Sequence, residues 1–291
     1  MHIVLHAGAH FTEEERLLKC LLRNRDDFAR RGVAVPGPGK YRQLLRDMLV
    51  EMQENPESPN ARRIVMEAIL DDDTAGRVLL SHPHLLGIPR AIVRDGKLYP
   101  AAADRLMWFK RLFPNDTVEL FIALRDPATF LPAANQTVPQ LEMDDLLKSS
   151  DPRDLRWSQM LAQLRETVPD VAITTWCNED APLLWGQIVR RMVGLPEGHK
   201  ILGAFDLMAD IMSAEGMQDF RAYLRQNHKM NEAQKTRVMM AFLNKYAIQD
   251  AIEEEIDVPG WTEDYVAEIT AMYDADASVI ETISGVTFLQ P

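Results

Sequence analysis

The chain has 291 residues, 46% of them hydrophobic and 26% charged, which is the balance of an ordinary globular protein of one large or two small domains. Lys and Arg number 32 against 44 Asp and Glu, so the formal net charge is −12 and nothing resembles a basic nucleic-acid footprint. No apolar run is long enough to span a membrane, no basic segment precedes an apolar stretch at the N-terminus, and Cys20 and Cys177 are too few for a disulfide framework, so a cytoplasmic location is expected.

In chain order, His2 to Leu5 reads as a short apolar strand running into His6-Ala7-Gly8-Ala9-His10-Phe11-Thr12-Glu13-Glu14-Glu15. The pattern predicts a helix from about Glu13, with Thr12 as N-cap and Glu15 completing a capping box. Leu17, Leu18, Leu21, Leu22 and Phe28 give this helix one apolar face, and Arg30-Arg31-Gly32 ends it. Val33-Ala34-Val35 is a small strand before the breaker Pro36-Gly37-Pro38-Gly39. Residues 41–54 and Ala61 to Leu70 read as helices joined by a loop at residues 55–60. Val78-Leu79-Leu80 is a buried strand ending at Ser81-His82-Pro83-His84, and Ala102 to Phe113 is an amphipathic helix. Val118 to Leu124 is the clearest strand and ends at Arg125-Asp126-Pro127. Residues 153–167 read as a helix, Val171 to Trp176 as a strand and Leu183 to Val193 as a helix. Beyond residue 200 the pattern is mainly helical, with a last amphipathic helix through Tyr265, Ile269, Met272, Val279 and Ile280 and a tail at Gly285-Val286-Thr287-Phe288-Leu289. Trp176, Trp185 and the Met239-Met240 region are read as core, and Cys177 as a buried thiol.

Acidic residues are concentrated at one end. No basic residue follows Lys245, and eleven acids lie between Asp250 and the last residue, leaving 33 acids against 32 bases elsewhere. An acidic surface for a basic partner and a solvated face on C-terminal helices both account for this, and the second is the reading taken.

Strands separated by helices imply parallel pairing through crossovers. The expected fold is an α/β domain of three layers with a mostly parallel central sheet. Residues 1–200 form its core and residues 201–291 a mainly helical, acidic extension. In such a sheet ligands bind beyond the carboxyl ends of the strands. Three polar clusters fall there: Gly8 to Thr12, Ser81 to His84, and Arg125-Asp126. A strand, a glycine turn and a helix start make a natural anion site, but three glutamates at that start would repel phosphate or sulfate.

These clusters resemble the bacterial branch of the P-loop sulfotransferases. That family's first strand-to-helix turn looks like His-x-Gly-x-His-Lys-Thr-Gly-Thr-Thr, where this chain has His6 to Glu15. Its later strand ends in an arginine and is followed by a serine and often Tyr-Asn-Gln. The counterpart here is Leu124-Arg125-Asp126, running on to Pro132-Ala133-Ala134-Asn135-Gln136. Trp176-Cys177-Asn178-Glu179-Asp180, the helix end Val193-Gly194-Leu195 and the tail from Gly285 to Pro291 are similar to further parts of the family, so the likeness spans most of the chain.

The resemblance implies a P-loop NTPase-like, sulfotransferase-like fold and transfer of a sulfuryl group from 3′-phosphoadenosine-5′-phosphosulfate (PAPS) to a hydroxyl or amine. It would place the donor at Gly8, His10, Thr12 and Arg125, and the acceptor-activating base at His82 or His84, where a histidine could act near neutral pH. The family's lysine is replaced by Phe11, its glycine by Glu13 and its two hydroxyl residues by Glu14 and Glu15. The serine for the donor's 3′-phosphate is absent at Pro132 and Ala133. The expectation is therefore a sulfotransferase-like protein without PAPS chemistry and without a cofactor, used to bind an unidentified protein or glycan. The alternative is an active sulfotransferase acting on a carbohydrate or small metabolite. A weaker alternative joins His6 and His10 to His82 and His84 as a metal cluster, although no metal ligand set is expected.

Overall fold

The computed structural model describes residues 1–55, 60–70, 75–138 and 141–291. The loop expected at residues 55–60 lies mostly outside them. Eight strands form among the described residues: β1 (His2–His6), β2 (Val33–Ala34), β3 (Arg77–Ser81), β4 (Val93–Arg94), β5 (Lys97–Leu98), β6 (Thr117–Leu124), β7 (Ala172–Cys177) and β8 (Val286–Leu289). Successive side chains of a strand point to opposite faces. Here both faces are apolar: Ile3 and Leu5 of β1 enter one core and Val4 another, and Leu120 and Ile122 of β6 oppose Phe121 and Ala123 in the same way. Such strands need a helical layer on each side, which is the setting of a parallel sheet.

The main sheet has the order β2-β3-β1-β6-β7-β8, and every pairing is parallel. One face is covered by α3 (Arg42–Glu54), α4 (Ala61–Ile69), α5 (Ala102–Leu112), α6 (Pro127–Gln136), α8 (Trp157–Thr167) and α14 (Glu263–Ile280), through Leu45, Val65, Leu106, Phe130, Leu161 and Tyr273. The other is covered by α1 (Arg16–Arg23), α2 (Arg25–Ala29) and α9 (Ala181–Val193), through Leu17, Phe28 and Ile188. The short α7 (Met143–Leu147) follows α6. A third apolar cluster, with Met208, Met217, Phe220 and Met239, joins α10 (Asp206–Asp210), α11 (Ala214–Gln226) and α12 (Glu232–Tyr246). The short α13 (Gln249–Ile252) leads from these helices into the acidic stretch. No helix among the described residues is long and apolar enough to cross a membrane.

The expected α/β layers are present, and several local readings are corrected. The first helix begins at Arg16, not near Glu13, and there is no capping box. Phe11, Glu14 and Glu15 have left-handed backbones, with φ of 62°, 48° and 64°, so the chain cannot turn into a helix there. Thr12 Oγ1 donates to the Ala9 carbonyl at 2.9 Å instead of accepting an N–H. Glu15 pairs with Arg42. Tertiary partners have outcompeted a complete local capping signal. The predicted single helix is also broken at Asn24, whose amide brackets Leu202 through its N–H and its carbonyl, both at 2.9 Å. The tail forms β8 on the outer side of β7, so the last residues belong to the sheet. Met239 is core as expected, but Met240 is 47% exposed.

Candidate functional site

The strand order defines where a crevice forms. From β1 the chain goes to the β2-β3 side of the sheet, and from β6 it goes to the β7-β8 side. The loops after these adjacent strands diverge, leaving a crevice beyond their carboxyl ends. β1 and β3 finish in register, with His6 beside Ser81, while β6 runs three residues further to Leu124. The three polar clusters therefore meet, as the sequence implied.

The first cluster folds over itself. Gly8 has φ +49°, and the space where a side chain would start is bounded by Glu13 Oε1 and Thr12 Oγ1 at 3.4 Å and His6 Nε2 at 3.6 Å. Glu13 thus turns inward and is 9% exposed at its side chain. His6 Nδ1 is hydrogen-bonded to Ser81 Oγ at 2.9 Å, and its Nε2 faces Glu13 Oε1 at 3.3 Å. Burial, helped by Arg42, pushes the His6 imidazole down to about 3. Burial pushes the Glu13 carboxyl up to about 7, against the opposing pull of the Glu15 and Leu17 N–H groups. Near neutral pH the imidazole is uncharged and the carboxyl is partly protonated, so their contact is not an ion pair. Of the three glutamates, Glu13 is buried, Glu15 is matched by Arg42, and Glu14 is exposed and has no partner among the described residues.

The second cluster is a chain of hydrogen bonds. Tyr99 Oη accepts the His10 backbone N–H at 2.9 Å and meets His10 Nδ1 at 2.5 Å, with the two rings stacked at 3°. These are the only described partners of a buried phenol, and burial raises its pKa, so its proton points to Nδ1. His10 then carries its own proton on Nε2 and donates to His84 Nδ1 at 2.8 Å. Neutral His84 carries its proton on Nε2, at the exposed edge. His82 Nδ1 accepts the His84 backbone N–H at 3.0 Å, which fixes the loop and leaves the His82 proton on Nε2 as well. Burial lowers His10 to about 3 and His82 to about 4, and lowers His84 too, each with help from neighbouring cations. Both sequence-proposed bases are therefore neutral and are held with a proton on the outer nitrogen.

Arg125 closes the third side. It is buried at the end of β6, and all three of its guanidinium nitrogens are engaged. Nε donates to Thr129 Oγ1 at 2.9 Å, Nη1 donates to the Phe11 carbonyl, and Nη2 donates to Glu254 Oε2 from the acidic C-terminal stretch. Its partner is thus not the adjacent Asp126. That residue caps α6 by accepting the Ala128 N–H at 2.9 Å and receives the Thr270 hydroxyl at 2.6 Å. Glu179 accepts the Asp126 N–H and the Tyr273 hydroxyl, both at 3.0 Å, so α14 braces the ends of β6 and β7. Cys177 is a buried thiol that burial pushes up to about 12.

Two cavities flank the loop. One, of about 300 Å³, is lined by residues 6–15 with Arg42, Ser81 and His84. The other, of about 500 Å³, is lined by Thr12, Glu14, Arg125, Asn178, Glu254 and Glu255. Gly8, His10 and Thr12 line the first, while His82 stands behind His84. Among the described residues no group of three or more His, Cys, Asp or Glu side chains is placed to hold a metal ion. Sequence reasoning missed Tyr99, Arg42 and Glu254. Glu254 is 129 residues from Arg125 and carries no local signal. Comparison with protein-family models, with curated proteins and with solved structures returns no match.

Proposed function

We propose that this chain is a sulfotransferase-like protein that has given up transfer from PAPS and acts by binding a protein or glycan partner. Its parallel α/β sheet is read as the P-loop NTPase-like version on the motif likeness at His6 to Glu15 and at Arg125. One observation carries the functional reading: both places where a donor's anions would sit are filled by the protein's own carboxyl groups. Glu13 lies inside the loop over Gly8, and Glu254 takes the guanidinium of Arg125.

Magnitudes support the same reading. A charge-assisted hydrogen bond lost to an internal competitor is worth about 1.5–3 kcal/mol. An acid beside a bound anion costs on the order of 1–4 kcal/mol at intermediate dielectric. Two or three such penalties are comparable with the roughly 8 kcal/mol of a micromolar complex. Calorimetric titration with 3′-phosphoadenosine 5′-phosphate tests this: no heat of binding is expected up to millimolar nucleotide, and a micromolar dissociation constant refutes the proposal.

A further inference from the structure

The cavity of about 300 Å³ has two unlike walls. The loop wall carries Glu13, Glu14 and Glu15. The opposite side, lined by Arg42 of α3, by Ser81 at the end of β3 and by His84, carries donors. There His84 shows its Nε2–H at an exposed edge, and this polarity is set from behind by the chain from Tyr99 through His10. For His84 to offer Nε2 as a base, every proton in that chain would have to reverse. The buried Tyr99 hydroxyl would then have no acceptor among the described residues.

Three arginines surround this imidazole, and all three push its pKa down. Arg105 Nη1 donates to the carbonyls of His84 and Leu85 at 2.9 and 3.3 Å. Arg46 donates to the Gln43 side chain. Neither meets a carboxylate among the described residues. Arg42 is shared with Glu15, and its buried Nη2 has no hydrogen-bond partner among the described residues. In a chain of net charge −12, two guanidinium groups without a carboxylate partner among the described residues add a positive field behind the His84 side of the cavity.

We propose that this wall binds the anionic oxygens of a small ligand, a carboxylate or a sulfate, with His84 Nε2–H as the directional donor and Arg105 and Arg46 supplying the field. The inference rests on the binding-protein reading and names the ligand class for it. The cavity volume limits the bound part to a group the size of one sugar ring or less. The glutamate loop opposite keeps a long polyanion out, because Glu14 would face its second charge.

The test uses the whole chain with ¹⁵N-labelled histidine at pH 7, titrated separately with sodium sulfate and sodium glucuronate against sodium chloride of equal ionic strength. Saturable movement of the His84 imidazole signals is expected in at least one arm, and the responding arm identifies the oxyanion. Binding, followed in the variants by calorimetry with the same two salts and with the His10 and His82 imidazole signals reporting on the fold, is lost in His84→Ala and weakens about tenfold in Arg105→Gln. Absence of saturable movement in both arms, or equal affinity in His84→Ala, overturns the proposal. A parallel titration with 3′-phosphoadenosine 5′-phosphate, read at the Gly8 and Thr12 amides, reports on the donor-free reading independently of the histidine signals.

Discussion

Glu13→Gln probes the closed loop most directly. In an unfolded chain a glutamate titrates near 4.5, whereas burial lifts Glu13 to about 7. A group with a raised folded pKa favours the folded state when protonated, so its stabilisation is complete below pH 4.5 and is lost as the pH climbs through 7. The separation of about 2.5 pKa units corresponds to ~3 kcal/mol at about 1.4 kcal/mol per unit. The side chain is almost wholly buried, so solvent screening takes little from this figure. Glutamine keeps the shape and removes the charge, while His6 titrates in both proteins and drops out of the comparison. Urea denaturation of wild type and variant at pH 5, 6, 7 and 8 is the assay. The variant should gain ~2–3 kcal/mol on wild type between pH 5 and pH 8. A flat difference, or a variant that loses ground as the pH rises, would mean that Glu13 is a carboxylate paired with a protonated His6. The account of Glu13 as a buried, partly protonated carboxyl beside a neutral His6 would then be wrong.

Two further changes test the other walls. Glu254→Gln removes the charge that holds the acidic stretch to Arg125, so amide hydrogen exchange across residues 249–256 should accelerate while the β6 amides stay protected; unchanged exchange would show that Arg125 does not anchor the stretch. Tyr99→Phe strips an acceptor from the His10 N–H and a donor from its Nδ1, both buried, and should lower stability by about 1–3 kcal/mol in urea denaturation, with no loss if a water replaces the hydroxyl.

The sheet was legible where strands are apolar on both faces, as in β1, β3, β6 and β7, because that pattern leaves no choice of layer. The β4–β5 hairpin has a local signal of its own: Asp95-Gly96 between Arg94 and Lys97, with φ of 53° and 70°, supplies the two left-handed residues of a tight hairpin turn. The strand β8 was not legible, since four residues of mixed character become a strand only when a neighbour offers its edge. The loop at Thr12 to Glu15 misled because its local capping signal was complete, while Arg42 and His6, which take the glutamates, are close only in space. The structure sets His84 against His10 in a hydrogen bond and not in a metal cluster, and the tautomers depend on Tyr99, which nothing in their own segment announces.

The order of the strands also bears on how the molecule is assembled. β1 lies in the interior of the sheet, and β6, β7 and β8 are laid outward from it in succession. During synthesis β7 is complete at Cys177, but its outer edge waits for Val286 and its neighbours. An unpaired edge is where nascent chains pair wrongly with one another. Docking of Val286 to Leu289 covers that edge, so closure of this side of the sheet depends on a segment more than a hundred residues beyond β7.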